Sequence, residues 1–379
     1  MPGAMPIYLD HQATTPTDPS VIEAMLPWFG RHFGNPHSVD HEWGWQAEEA
    51  VERARGQVAA LAGAAAADII FTSGATEANN LALLGLAPAL AAAGRRHILA
   101  SPLEHPSVAA CLEMLAGQGF TVEILPIGAD GVLDPAAVEQ TLQPQTGLVT
   151  VIAASHEIGT LQPLGAIAEA CAASGAVLHS DAAQAAGAVA CPADLATVSA
   201  HKIYGPKGIG ALVARGAIRD RLRPLLQGGG QERGLRPGTL PVPLVVGFGA
   251  AAALAVEVRE REQRRLIPLR DRLLHGLAGA HVDFAVNGAL DRRLPGNLSL
   301  RFAGVDAALL IARIRDRIAV SAGAACAGAE RVPSPGLLAL GLDAAAALGT
   351  IRIGLGRATT AAEIDQAAAI LAQAAAELR

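Results

Sequence analysis

Lys202 and Lys207 are the only lysines in this chain; the other 27 of its 29 cationic side chains are arginine. Both fall within one stretch, HKIYGPKGIG, residues 201–210. Arginine stays protonated under ordinary conditions, whereas a desolvated lysine can lose its proton, attack a carbonyl and form an imine. Two residues must fall somewhere, so the pair alone decides nothing; its neighbours do.

Those neighbours are polar residues that close a series of apolar runs. TSGATEANN brings Thr76 after DIIF, SPLEH brings His105 after HILA, and SHEIG brings His156 after VTVIAA. DAAQ then brings Asp181 and Gln184 after AVLHS, and HK brings His201 and Lys202 after ATVSA. TSGAT at a helix start suits an anion, because free N–H groups and the positive end of the helix dipole point outward there. It is no Walker loop, since no lysine follows its glycines. A phosphate with a lysine, a carboxylate and a histidine nearby points to pyridoxal phosphate. The lysine would form the imine and Asp181 would keep the pyridinium nitrogen protonated.

Cysteines stand at 111, 171, 191 and 326, with no pair spaced for a metal or redox motif. Cys111 and Cys171 sit in helical patterns as small apolar residues, and Cys191 is read as structural. Cys326 lies in VSAGAACAGAERVPSPG, which has no apolar periodicity and reads as a loop, so its thiol is available for chemistry.

Positioning these residues takes an alternation of strands and helices. Strands are expected in ADIIFTSG, RRHILAS, FTVEILPI, GLVTVIAAS, AVLHSD, ATVSA and GIGALVA, with amphipathic helices of about a dozen residues between the first five. That pattern predicts an α/β fold: a mostly parallel seven-stranded sheet covered on both faces, with ligands beyond the strands' carboxyl ends. After about residue 243 a long charged helix leads into a smaller α+β domain.

Hydrophobic content is 51%, its excess mostly alanine, and the longest apolar stretches fall short of a membrane span. No secretory signal is visible, and a net charge of −6 leaves no electrostatic footprint for nucleic acid or a lipid surface. The expectation is a soluble cytoplasmic protein without a bound metal.

YLDHQATTP, FGNPHS, FTSGATEANNLA, EHPSV, DAAQ, SAHKIYGPKGIGAL, GGGQERGLRPGTLP and TIRIGLGR together resemble the cysteine desulfurases of the iron–sulfur assembly type. These belong to the class V, fold-type I pyridoxal phosphate enzymes. The resemblance runs from Tyr8 to the last helix. It implies a large cofactor-binding domain over 16–258, and a small domain from 1–15 and 259–379. Lys202 would carry the cofactor, Asp181 its ring nitrogen, and Gln184 and His156 its hydroxyl side. His105 would stack on the ring and move protons. Ala75, Thr76, Ser199 and His201 would hold the phosphate, with Thr239 reaching in from the second subunit of a homodimer. Asn35 and Arg352 would bind the carboxylate of L-cysteine. Cys326 would take the sulfur as a persulfide for an acceptor protein, such as an iron–sulfur scaffold or a tRNA-thiolation protein. Lys207 has no role in this picture and reads as a surface lysine.

The chain also departs from the resemblance. His156 stands where asparagine is usual, and its protonation would make the cofactor's spectrum move with pH across histidine's range. The 184–201 stretch is several residues short, and the loop after Cys326 has the length of the group that hands sulfur directly to partners. A selenocysteine lyase or aminotransferase of the same class stays open as an alternative, as does a catalytically weak sulfur-transfer scaffold.

Overall fold

The structure, a computed structural model, describes residues 5–322 and 332–379. The short strand β1 (Ile7–Tyr8) comes first. It is followed by β2 (Ile69–Thr72), β3 (His97–Ala100), β4 (Thr121–Ile124), β5 (Thr146–Thr150), β6 (Val177–Asp181), β7 (Leu195–Ser199) and β8 (Gly210–Ala214). These last seven form one sheet in the order β2-β8-β7-β6-β5-β3-β4. All run parallel except β8, which lies antiparallel between β7 and β2. Every residue of β2, β3, β5, β6, β7 and β8 is buried, as a sheet with helices on both faces requires. FTVEILPI yields only the four residues of β4, because this edge strand has one neighbour and its ladder ends where β3 does, at Ala100–Ile124.

The smaller unit holds β9 (Phe284–Val286), β10 (Asn297–Phe302), β11 (Ile318–Ala319), β12 (Ser321–Ala322) and β13 (Thr350–Gly354). An antiparallel sheet runs β12-β13-β10-β9, while β11 pairs in parallel with β1. Leu9 packs in this second core with Leu298, Leu300, Ile351 and Ile353.

The helix Val242–Gly279 joins the two cores. The sequence reads it as an apolar stretch followed by a charged helix, each too short to span a membrane. As one helix of 38 residues it is long and apolar enough to do so, by length and composition, and half of its most apolar window is buried. Packing explains that apolarity: Val245, Phe248, Ala251 and Ala252 enter the core under the large sheet, and Leu273 and Leu277 enter the second. The helix Glu42–Ala62 lies against it and goes unseen in the sequence reading, because its buried stripe (Ala47, Ala50, Ala54, Val58) is mostly alanine. The close approach requires glycine, since a Cβ on Gly249 would sit 2.6 Å from the Ala54 backbone.

Candidate active site

Beyond the carboxyl ends of the parallel strands lies a cleft of about 640 Å³. Ala75, Thr76, His105, His156, Asp181, Gln184, Ser199, His201, Lys202 and Arg352 all line it. Six separate elements thus deliver the residues expected from the sequence to one place.

Lys202 follows β7 on a single turn, Ala200–Lys202, and the next bend puts Tyr204 at a φ of 66°. A tyrosine in that region costs of order 1 kcal/mol, so the surroundings must hold it. Thr15 does so, its hydroxyl donating to His201 O at 2.9 Å and accepting from Tyr204 N at 2.9 Å. The Arg357 guanidinium lies 4.1 Å over the Tyr204 ring. Lys202 Nζ donates to the carbonyls of Gln12 and, at 3.0 Å, Ala13. Burial pushes the amine down from its ordinary value to about 8, with Arg352 pushing the same way and Asp181 and Asp10 opposing. It is therefore a lysine that reaches its nucleophilic form near neutral pH.

Asp181 ends β6 and is buried; its Oδ2 accepts from Asn79 Nδ2 at 2.8 Å and its Oδ1 from Ala183 N at 2.9 Å. His105 caps the helix Pro106–Gly117, its Nδ1 accepting from Ser107 N at 3.1 Å. Burial lowers its pKa, Asp181 pulling it up and Lys202 pushing it down. At the other end of the cleft the helix Ala75–Ala92 begins at Gly74 with no side-chain cap, so its first N–H groups stay open to an anion. Ser199 and His201 border that end, His201 Nδ1 lying 3.1 Å from Thr14 Oγ1.

Arg352 projects from β13; Nη2 pairs with Asp10 Oδ1 at 3.0 Å and Nη1 donates to His156 O at 3.1 Å. Among the described residues, the buried atoms His156 Nδ1 and Arg352 Nε of cleft-lining side chains have no partner. Open helix amides, a lysine of lowered pKa, a buried carboxylate and these orphaned atoms fit a small molecule bearing a phosphate, a carbonyl and a ring nitrogen.

Lys207 is exposed but lines the same cleft, and its charge helps push His201 down to about 4. The turn beyond Lys202 brings it back to the phosphate end. His156 does not titrate in histidine's range: burial, and then the nearby His105, Arg352 and Lys202, push it down to about 3. Within the motif GGGQERGLRPGTLP, Glu232 is buried in a two-pronged ion pair with Arg55 at 2.8 Å. Asn35 and Thr239 are exposed and lie outside the cleft, Asn35 Oδ1 accepting from His37 N at 3.0 Å. Cys326 lies outside the described residues. Cys111, Cys171 and Cys191 are buried and free, the first two pushed up by burial to about 11 and 12. The sequence reading also passed over Gln12, Ala13 and Thr14, which form one wall of the cleft; the motif YLDHQATTP contains all three, but nothing in their residue types marks a backbone carbonyl as a lysine partner.

The family described as Aminotransferase class-V matches residues 7–367. The chain belongs to that family. Its enzymes depend on pyridoxal phosphate, and the donors of the cleft fit that group. A curated relative, cysteine desulfurase IscS of Rickettsia bellii, is 47% identical over 99% of this chain and 92% of its own length. A solved structure described as a NifS-like protein superposes with a TM-score of 0.90 at 33% identity, covering 97% of this chain and 99% of the other. Another, SspA in complex with cysteine, gives a TM-score of 0.81 at 34% identity over 92% and 98% of the two chains.

Proposed function

We propose that this protein is a pyridoxal-phosphate-dependent cysteine desulfurase, and that Lys202, Asp181, His105 and Cys326 carry its chemistry. The observation that supports it most is the lowered Lys202 amine facing Asp181 and His105 in one cleft. When bound, the cofactor supplies an electron sink for bonds at the substrate's α and β carbons. Lys202 holds it covalently, and the Gln12 and Ala13 carbonyls aim the amine. Asp181 keeps the ring nitrogen protonated, Gln184 and His156 meet the hydroxyl side, and the amides at Ala75 with Thr76, Ser199 and His201 hold the phosphate. Arg352 binds the substrate carboxylate, a task for which the guanidinium fork is shaped. His105 exchanges protons at the reacting carbons.

Cys326 attacks the sulfur of cysteine. The carbon–sulfur bond breaks, a sulfur–sulfur bond forms, and the carbon takes up a proton to leave alanine and an enzyme persulfide, with no outside reductant. On either side of the Cys326 segment in the chain, Ser321 Oγ donates to Asp10 Oδ2 at 2.6 Å and Ser334 Oγ to Glu157 Oε2 at 2.5 Å; Asp10 pairs with Arg352 of the cleft and Glu157 follows His156 in sequence.

The protein acts as a homodimer in this reading, with domains over 16–258 and over 1–15 plus 259–379. Leu26, Phe29, Phe33, Val39, Trp43 and Trp45, on either side of Asn35 in the chain, leave apolar surface exposed, with Phe33 stacked on Trp43 at 5.0 Å. Such a surface suits a second copy, and Thr239 would serve the other subunit's phosphate. The cytoplasm, where thiols stay reduced, is the expected compartment, and an iron–sulfur scaffold or tRNA-thiolation protein the acceptor.

The test is incubation with L-cysteine, measuring alanine and sulfide together. Cys326→Ser should keep the yellow cofactor and bind cysteine, yet lose persulfide and sulfide. Unchanged sulfide release would refute the thiol's role.

A further inference from the structure

We propose that Asn79 and Ser107 are positioning residues that hold His105 with its proton on Nε2 and join its ring to Asp181 by a continuous run of hydrogen bonds. The inference rests on the reading of His105 as the proton-exchanging group of the cleft.

The run begins at Asp181 Oδ2, which accepts from Asn79 Nδ2 at 2.8 Å. The same amide nitrogen lies 2.9 Å from Ser107 Oγ. Asn79 is wholly buried and its Oδ1 has no partner among the described residues, so its donor bonds fix the side chain's orientation. Ser107 Oγ accepts from Asn79 and lies 2.8 Å from His105 Nδ1. The Ser107 backbone N–H reaches that nitrogen as well, at 3.1 Å. A backbone N–H can only donate, so Nδ1 must present its lone pair. The serine's own proton, displaced from the asparagine side, also points there. A neutral imidazole then has its one proton on Nε2.

The charged and titratable groups around the ring act on its total protonation. Asp181 favours the imidazolium and Lys202 opposes it. The His156 ring packs edge-on at 5.2 Å, and Arg352 is bonded to the His156 backbone. None of these contacts chooses between the two ring nitrogens; Ser107 does. A proton arriving at Nδ1 would break both bonds from Ser107. His105 therefore offers a donor and takes up a second proton only at the expense of its anchor. Asn79 also sits on the helix whose open end faces the phosphate, so one element sets the phosphate cradle, Asp181 and His105 together.

The experiment uses the full chain labelled with ¹⁵N-histidine, as holoenzyme and after removal of cofactor, and reads long-range proton–nitrogen correlations. His105 is assigned by the signal that His105→Gln removes. The expected pattern is a protonated Nε2 and an acceptor Nδ1 in wild type. Ser107→Ala should raise the His105 midpoint by about half to one pH unit, since one hydrogen bond to the neutral form is lost. Ser107→Thr, which keeps a hydroxyl, should restore it. A wild-type ring protonated at Nδ1 overturns the proposal, as do alanine and threonine variants that titrate alike. The wild-type pattern needs no variant, so a misfolded Ser107→Ala would not rescue the idea. Alanine formation from cysteine by the wild-type holoenzyme is read separately: a protein with the expected tautomer that makes no alanine refutes the assigned function and leaves this inference standing.

Discussion

The cleft at the carboxyl edge of the large sheet encloses about 640 Å³, and a second cleft beside β9 and β10 encloses about 680 Å³. Both contain ionisable residues, but those residues are used differently. In the second cleft Asp306 caps the helix Ala307–Ile314 and Asp343 caps Ala344–Leu348. Asp283 is largely exposed beside Arg379 at 3.7 Å, and Arg301 donates to Asn287 Oδ1 at 2.8 Å. Each side chain there has a structural task or open solvent. In the first cleft Lys202, His105, His156 and His201 are all displaced from their ordinary pKa by burial, and His156 and Arg352 keep polar atoms without partners. Volume does not distinguish the two; desolvated charge with unmet bonding does.

Exchanging one cation in each cleft tests that difference most severely. Lys202→Ala should lower alanine formation by at least about a thousandfold, because the other amine in the cleft, Lys207, is exposed and lacks the burial that lowers Lys202. Arg301→Ala should change it less than about twofold, as surface substitutions away from a site usually do. Equal losses from the two would break the comparison. Arg352→Lys is the next step down. It keeps the charge but loses the fork, and with it one charge-assisted hydrogen bond. KM for cysteine should rise about 10- to 100-fold, while the cofactor's absorbance stays. An unchanged KM would remove Arg352 from the substrate carboxylate.

The same contrast explains what could be read from the sequence. The residues of the first cleft are legible because parallel strands end at one edge, so DAAQ and HK after apolar runs already locate Asp181 and Lys202. The order of the seven strands is not legible, since nothing in the runs themselves shows that β8 turns back antiparallel and inserts between β7 and β2. Lys207 is exposed, as a surface lysine should be, but its place on the cleft's rim is not legible, because chain distance past a turn says nothing of where that turn folds back. Partners that act through backbone, such as the Gln12 and Ala13 carbonyls, leave no mark in residue type. Nor does a stripe of alanine, and the helix Glu42–Ala62 goes unseen for that reason. Asn79 is visible only as a polar residue in an apolar helix; its tie to Asp181 spans 102 positions of chain.

Burial of Lys202 makes a pH prediction whose sign is fixed. Its amine is displaced downward from the usual lysine range to about 8, so the neutral nucleophile grows as pH rises through that value. Capture of added cofactor by the stripped protein, followed by absorbance, should quicken about tenfold between pH 7 and pH 9, the growth in neutral fraction for a midpoint of 8. An amine at an ordinary value would still be gaining rate well above pH 9. That result would return Lys202 to the class of the exposed cations beside the second cleft.

The smallest expected effect falls on His156. From sequence alone a histidine beside the cofactor predicts a spectrum that moves between about pH 5 and pH 8. The fold removes that expectation, since burial and the charges of His105, Arg352 and Lys202 hold His156 down at about 3. Across the working range the ring is neutral, and neutral imidazole can give one N–H to the cofactor's oxygen much as asparagine would. His156→Asn should therefore leave the pH titration of the visible spectrum superimposable on wild type between pH 5 and pH 8, with activity kept within about twofold. A wild-type inflection near pH 6.5 that the variant abolishes would show that His156 is charged in the working enzyme. In that case its burial beside Arg352 and Lys202 would have to be offset by a negative group, and the phosphate and ring oxygen of the bound cofactor would supply one.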